Sequence, residues 1–410
     1  MGILRSIILQ VLMLTAAGVQ ASSIVLNTYL SAPYQIRTNQ GLEGSSVRTL
    51  KCIFRSMQQP FELQLMPRER AIYEVEQTRA DGFFSAIHMA RAEPFARRSA
   101  PLALEKWYWY SNRDPAETLA GSPPPRTGAI RGSNQLAWLR EQGVQVDQLA
   151  GSTGQLLRLL DRGRIDRFIA DQRTLRTELT QQSVSLRPGF EQFYKYATLG
   201  VYFSNDVLER EPLLLQRFNR EVFYCLDETP TLNEAERVRL ATLHSELYGH
   251  WPQLSQVLEA TKRQNTEHAQ LKLRDIVALD NQWLEQRAAG ASPLAEAVLD
   301  RPVSRWLRTQ QRESGGLITE VILTDRHGLI AAASEPTTDY WQGDEAKFSE
   351  AFFSRDAAPY LGALDYDQSS EAYQVHISVP VRTDSEVIGV LIIGLNIERA
   401  LLEAGLRSTL

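Results

Sequence analysis

Positive charge is not in excess in this sequence: 44 lysines and arginines face 49 acids, for a net charge of -5. That leaves no electrostatic footprint for nucleic acid, and no nucleic-acid partner is expected. Catalytic motifs are missing as well. Serines, histidines and aspartates are scattered without a nucleophile elbow, and no phosphate loop or paired-histidine metal motif occurs. No cofactor or metal is implied. Three of the six histidines, His244, His250 and His268, lack acids and histidines at zinc-like spacing and read as surface or packing residues. Long apolar runs are scarce too. Beyond the N-terminus the best candidate is Val387–Ile397, too short to span a bilayer and carrying two glycines, so it reads as a buried strand.

The N-terminus is different. MGILRSIILQVLMLTAAGVQASS has one cation at Arg5, an apolar run from Ile7 to about Gly18, and small residues around Ala21. This is the pattern of a secretory signal peptide, residues 1–21, cut after Ala21. The run falls short of the roughly 18–20 apolar residues of an anchor helix, and no cysteine follows it to carry a lipid. A periplasmic location is expected. In that oxidising compartment the only two cysteines, Cys52 and Cys225, form a disulfide by default; two separate buried thiols are the alternative. Closing so long a loop would stabilise the fold by about 4–5 kcal/mol, less any strain. The length of 410 residues suggests two or three domains, with an ordinary globular composition, 43% hydrophobic and 23% charged.

From Ile24 the text alternates. IVLNTYL is a strand ending in a Pro-Tyr turn, and Val47, Leu50, Ile53, Phe54 and Met57 follow at helical spacing. FELQLMP is a strand, RERAIYEVEQTRADG a helix closed by Gly82, FFSAI a strand, and ALEKWYWYSNRD a long crossing strand. A second set repeats the pattern: TGAIRGS, NQLAWLREQG, QVDQLA, STGQLLRLLDRG, RIDRFIAD. Two strand–helix sets argue for two open α/β sheets. The stretch Trp107-Tyr108-Trp109-Tyr110 is either a stacking platform or core packing at a hinge strand.

These segments resemble family 3 of the periplasmic solute-binding proteins. The residues that carry the resemblance are Pro33-Tyr34, Arg79–Leu102, Thr127–Gly143 and Leu156–Gln172, about half the chain. It implies a two-lobed α/β periplasmic-binding-protein fold of type II over residues 22–230, with a small amino-acid-like ligand between the lobes. Carried over by position, Arg91 would take the ligand's carboxylate, which a guanidinium can bind bidentately. Asp171 would take its ammonium, or cap the helix that follows. Ser133, just before a helix, would face an anion with free backbone N–H groups. Ser85 would offer a carbonyl or hydroxyl, and Tyr34 would cover the apolar part. The lead-in to Arg91 departs from the family: His88-Met89-Ala90 replaces Thr-Pro-Glu, and the run to Ser99-Ala100-Pro101 is one residue longer. A surface arginine is the alternative there.

Residues 231–254 read as a helical linker, with Leu240, Leu243 and Leu247 on one face. After Pro252 comes one long, largely polar helix, then strands TEVILTD and LIAAAS around the turn at Gly328, and the strands YQVHISVPVR and VIGVLIIGLNI. Residues 255–410 thereby resemble an extracellular Cache domain, an α+β PAS-like sensor module. The carriers are Thr324–Gly328, Thr338–Glu345 and the final strand pair. The resemblance implies a second pocket, with Tyr340 and Trp341 as walls and Asp339, Asp344 and Glu345 on an ammonium or cation. Alternatively the acids cap the short helix that follows and Trp341 fills core.

Together these features point to a periplasmic small-molecule sensor, not an enzyme, that signals through a membrane-bound partner such as a histidine kinase, chemoreceptor or cyclic-dinucleotide enzyme. The solute receptor of an ABC permease is the alternative. A dehydratase-like enzyme would need a further carboxylate acid or base in the cleft, and Glu93 is the nearest candidate in sequence. The long helix offers a surface for a homodimer, although Thr261–Gln270 lacks a sustained heptad.

Overall fold

The computed structural model describes residues 22–114, 123–181, 186–354, 358–367, 372–384 and 386–407. The expected signal peptide, residues 1–21, lies outside the described residues. Among the described residues no helix is long and apolar enough to cross a membrane.

The first lobe contains β1 (Ile24–Thr28), the hairpin β2 (Ile36–Thr38) and β3 (Gly41–Glu43), α1 (Ser45–Ser56), β4 (Phe61–Leu65), α2 (Arg68–Glu76), β5 (Gly82–Ala86) and β6 (Ala96–Arg98). Strand β7 (Ala103–Ser111) leads out of it. The second lobe follows with β8 (Thr127–Ile130), α3 (Asn134–Glu141), β9 (Gln148–Ala150), α4 (Thr153–Asp161), β10 (Arg167–Asp171) and α5 (Gln172–Gln181). The 15-residue β11 (Phe190–Ser204) returns, and α6 (Asn205–Arg210) and α7 (Leu214–Cys225) close the first lobe.

Sheet order is β4-β1-β5-β11-β7-β10-β8-β9, with β6 also on β11. Strand β11 serves both lobes: Phe190–Leu199 pair with β7, and Gly200–Ser204 with β5 and β6. The antiparallel β7–β11 pair is therefore the hinge connection between the lobes. Within each lobe β1 runs parallel to β4 and β5, and β8 to β9 and β10. Parallel strands send their C-terminal ends to one side, so the loops after β1, β5, β8 and β10 meet at a crevice.

Apolar faces at helical spacing hold these layers. Val47, Leu50, Ile53 and Phe54 of α1 are buried with Phe203 and Phe218 in one cluster, each such side chain contributing about 1.5–3 kcal/mol. Cys52 and Cys225 are disulfide-bonded, Cα to Cα 5.6 Å, tying α1 to α7. The aromatic run of β7 is mostly core: Trp107, Tyr108 and Tyr110 are buried.

The remainder comprises α8 (Glu234–Leu247), α9 (Ser255–Glu267), α10 (Leu273–Ala288), α11 (Pro293–Leu299), α12 (Pro302–Glu313), β12 (Ile318–Thr324), β13 (Ile330–Ala333), α13 (Ala346–Phe352), β14 (Tyr360–Asp367), β15 (Ala372–Arg382), β16 (Val387–Asn396) and α14 (Ile397–Arg407). Its strands form an antiparallel sheet of order β13-β12-β16-β15-β14. Central β16 is buried on both faces, which explains its unbroken apolar text. Its glycines permit close approach: a Cβ at Gly389 would run into the carbonyl of Thr324.

The one long helix expected after Pro252 is two, α9 and α10, separated at 268–272. The His268 ring leaves the helical path for buried Asp325, Nδ1 to Oδ2 2.6 Å, and Asp275 accepts the Lys272 N–H at 3.0 Å to start α10. The linker helix is no free spacer. Leu240 and Leu243 of α8 share one core with Tyr108, Phe193 and Tyr196 of the lobes and with Leu395, Ala400 and Leu401 near the C-terminus.

Candidate functional site

The crevice between the lobes is bridged by hydrogen bonds. The Tyr29 hydroxyl, with one proton to give, lies 2.6 Å from the Ser85 carbonyl and 3.0 Å from Asn134 Oδ1, and Asn134 Nδ2 donates to the same carbonyl at 2.9 Å. Thr174 donates to the Ala32 carbonyl at 3.0 Å. Buried Arg68, at the start of α2, reaches Asn134 Oδ1 at 3.3 Å. Ser85 occupies the left-handed region, φ 62°, at a cost of order 1 kcal/mol for a residue with a Cβ. That conformation is held because Gln35 Nε2 donates to its hydroxyl while its carbonyl accepts from Tyr29 of the same lobe and from Asn134 of the other.

Asp171 stands at the centre. It ends β10 and accepts from Thr174 N at 2.9 Å, so it caps α5. The same carboxylate accepts from Tyr34 of the other lobe at 3.1 Å and from the Lys106 amide of the hinge strand at 2.9 Å. Of the two alternatives open in the sequence, the cap is present, and the same carboxylate also faces the crevice.

A second buried acid faces it. Glu105, on β7, is 2% exposed and accepts from Trp107 Nε1 at 2.6 Å and Gln135 Nε2 at 3.1 Å, both on Oε2. Burial, then the Asp171 charge, pushes its carboxyl up to about 8; burial also raises Asp171. Neither carboxylate has an ion-pair partner among the described residues, so two like charges share one low-dielectric site. Both line a cavity of about 220 Å³, which Tyr29, Arg131, Ser133 and Thr153 help to close. Such a site holds protons or a cation; a neutral or anionic occupant leaves the repulsion in place.

Of the residues singled out in the sequence for the first domain, the structure brings Tyr34, Ser133 and Asp171 to this region. Ser133 lines the cavity, its hydroxyl already accepting Leu136 N at 3.1 Å as the cap of α3. Ser85 is buried in the bridge beside it. Arg91 is not brought to it: its guanidinium is about half exposed and bound to Glu69 Oε2 at 2.8 Å. Glu93 is likewise on the surface, 3.4 Å from His88. Glu105 escaped the sequence reading. Its signal was the one acid in a crossing strand made largely of apolar and aromatic residues, where burial makes a carboxylate costly.

The second-domain residues are placed differently. Tyr340 is buried and stacked on Trp283, centroids 5.2 Å apart, and Trp341 Nε1 donates to the His327 carbonyl at 2.8 Å. Asp280 of α10 accepts both their backbone N–H groups, at 2.9 and 3.0 Å. Gln342 N donates to the Gly328 carbonyl at 2.8 Å. The loop therefore clamps the turn at Gly328, where a Cβ would strike Gly343. Asp339 accepts from Gln342 Nε2 at 2.5 Å, Glu345 pairs with Lys347 at 3.2 Å, and Asp344 is exposed. Among the described residues no group of three or more His, Cys, Asp or Glu could hold a metal ion.

No family model matches this chain, and no curated protein matches it. Solved structures do resemble part of it. A histidine kinase sensor domain with similarity to periplasmic binding proteins is 16% identical, with 50% of this chain and 90% of that one covered at a TM-score of 0.39. An ancestral arginine-binding protein bound to arginine gives 16%, 50%, 92% and 0.39. The ligand-binding core of GluR0 from Nostoc punctiforme, in complex with (L)-glutamate, gives 14%, 55%, 99% and 0.39. At such identities and scores the likeness assigns neither ligand nor partner.

Proposed function

We propose that this protein is a periplasmic sensor whose two lobes close on a small ammonium-bearing, amino-acid-like solute. The carrying observation is the buried Glu105–Asp171 pair, which lines the interlobe cavity without an ion-pair partner among the described residues. In this reading the ligand's ammonium replaces the proton that Glu105 holds. Tyr34, Ser133 and the Ser85 carbonyl form the walls of the closed state.

The sensor reading over the importer reading rests on how the hinge is tied. On β7, Lys106 Nζ and Tyr108 OH reach buried Glu236 of α8 at 2.6 and 3.0 Å. On β11, Lys195 Nζ and Tyr196 N reach Glu398 of α14 at 3.2 and 2.9 Å. Both crossing strands are thereby fastened to helices that pack on each other, so a turn of the lobes is felt at α14. Ligand favours one state by its differential affinity. The strand order of the second sheet, with β16 at its centre, supports its reading as a Cache-like module. The partner would be membrane-bound, and the exposed Leu273, Val277 and Leu284 of α10 offer it, or a second copy, an apolar stripe.

The test is thermal unfolding of the full chain with amino acids and polyamines, alongside capture from a membrane fraction. A rise in Tm with an amine, lost in Glu105→Gln, and co-capture of a membrane signalling protein support the reading. Capture of a permease alone returns the protein to transport. One observation favours a second reading: Glu105, protonated near neutral pH, is also what a dehydratase-type general acid would be. Turnover of a bound amino acid analogue, abolished in Glu105→Gln with binding retained, would select it.

A further inference from the structure

The cleft reading leaves a larger cavity unused. It has a volume of about 590 Å³ and shares Asp171 with the acid-lined cavity, but its other walls, Tyr34 among them, are distinct. Ser45 opens α1, Leu104 and Lys106 belong to the hinge strand, Arg173 and Arg176 to α5, and residues 228–231 and 233 to the connection between α7 and α8. Lobe 1, lobe 2, hinge and linker all contribute.

Its charge is opposite in character to that of the acid-lined cavity. Lys106 is answered by Glu236 at 2.6 Å, and Arg173 by Glu228 at 2.5 Å. Arg176 is exposed and has no ion-pair partner among the described residues. Burial holds the Lys106 ammonium below its usual value, and the Arg176 charge pushes the same way. Gln172 adds a second unmet group: it is 5% exposed, it lines the cavity, and its Nε2 has no acceptor among the described residues. A guanidinium in need of a counter-charge beside a buried amide donor in need of an acceptor matches a carboxylate, which supplies both. Asp171 and Glu228 line the same space and would repel a dianion, while Leu102, Leu104 and Pro230 suit an apolar tail.

We propose that this linker-side cavity is a second binding site, for a small organic monocarboxylate held by Arg176 and Gln172. Because its walls come from both lobes, the site is complete only when they are together. Carboxylate and amine then favour the same state, and each tightens the other by the same factor; this coupling alone rests on the lobe-closure reading above.

The test is calorimetric titration of the full chain with lactate, pyruvate and benzoate, with inorganic phosphate as a control. At least one monocarboxylate is expected to bind. Arg176→Gln is expected to weaken it tenfold or more while leaving the apo Tm unchanged, and Glu105→Gln to leave it intact. Absence of binding by the whole set, equal binding of phosphate, or affinity unchanged in Arg176→Gln overturns the proposal. Failure of the amine site alone would appear as carboxylate binding with no amine-dependent shift, so the two readings fail separately.

Discussion

Each half of the molecule buries acids, but only one half answers them. In the second domain Asp325 is fully buried and accepts from His268, Gln264, and the N–H groups of His327 and Leu329. Glu320 is paired with His376 at 2.7 Å, which holds its carboxyl below the usual range despite burial. In the first domain Glu105 and Asp171 face each other with neutral donors only, and both carboxyls are raised. An acid whose charge is already balanced is architecture. A pair whose charge is unbalanced beside a cavity is what the proposed ligand site rests on. The acidic, aromatic loop at 338–348 looks the more functional in sequence, and in the structure Tyr340, Trp341, Gln342 and Asp339 hold the turn at Gly328 while Asp344 is exposed.

The largest effect that would break this contrast lies in that loop's support. Trp283→Ala removes the ring beneath Tyr340 and should cost about 3–5 kcal/mol in denaturant unfolding. A loss below about 1 kcal/mol would mean that the loop is loosely held and free to bind. Next, Asp325→Ala should cost about 3 kcal/mol, because it strands buried donors. Both variants should leave amine binding by the first domain unchanged.

Glu105→Gln sharpens the contrast from the other side. A carboxyl raised from 4.5 to about 8 in the folded state contributes stability below the unfolded value and loses it as pH rises through about 8. The wild type should therefore weaken relative to Glu105→Gln between about pH 4.5 and 8, in Tm measured against pH. Parallel curves would remove the buried charge from the account. The smallest effect is expected at Arg91→Ala: the exposed pair with Glu69 should be worth at most about 0.5 kcal/mol, and amine affinity should stay the same. A tenfold loss of affinity would restore Arg91 to the site.

Much of the two-lobed domain was legible because strand and helix periods alternate cleanly from Ile24 to Asp171. Strand β11 was not: FEQFYKYATLGVYFS changes partners midway, so no single alternation runs through it. The break between α9 and α10 was hidden because a long-range bond, His268 to Asp325, decides it. Asp171 and Tyr34 were pointed to by the resemblance to the solute-binding family, and both lie at the crevice. Glu105 could not, since what makes it notable is burial opposite Asp171, a relation between residues 66 positions apart.

The most direct measurement is calorimetric titration of the stabilising amine at pH 7 in two buffers of different ionisation enthalpy. A cation entering beside a carboxyl with a pKa near 8 must lower that pKa, so proton release to the buffer is predicted, and it should vanish in Glu105→Gln. Binding without proton release, or release that persists in Glu105→Gln, would contradict the claim that this buried pair is where the ligand's charge is read.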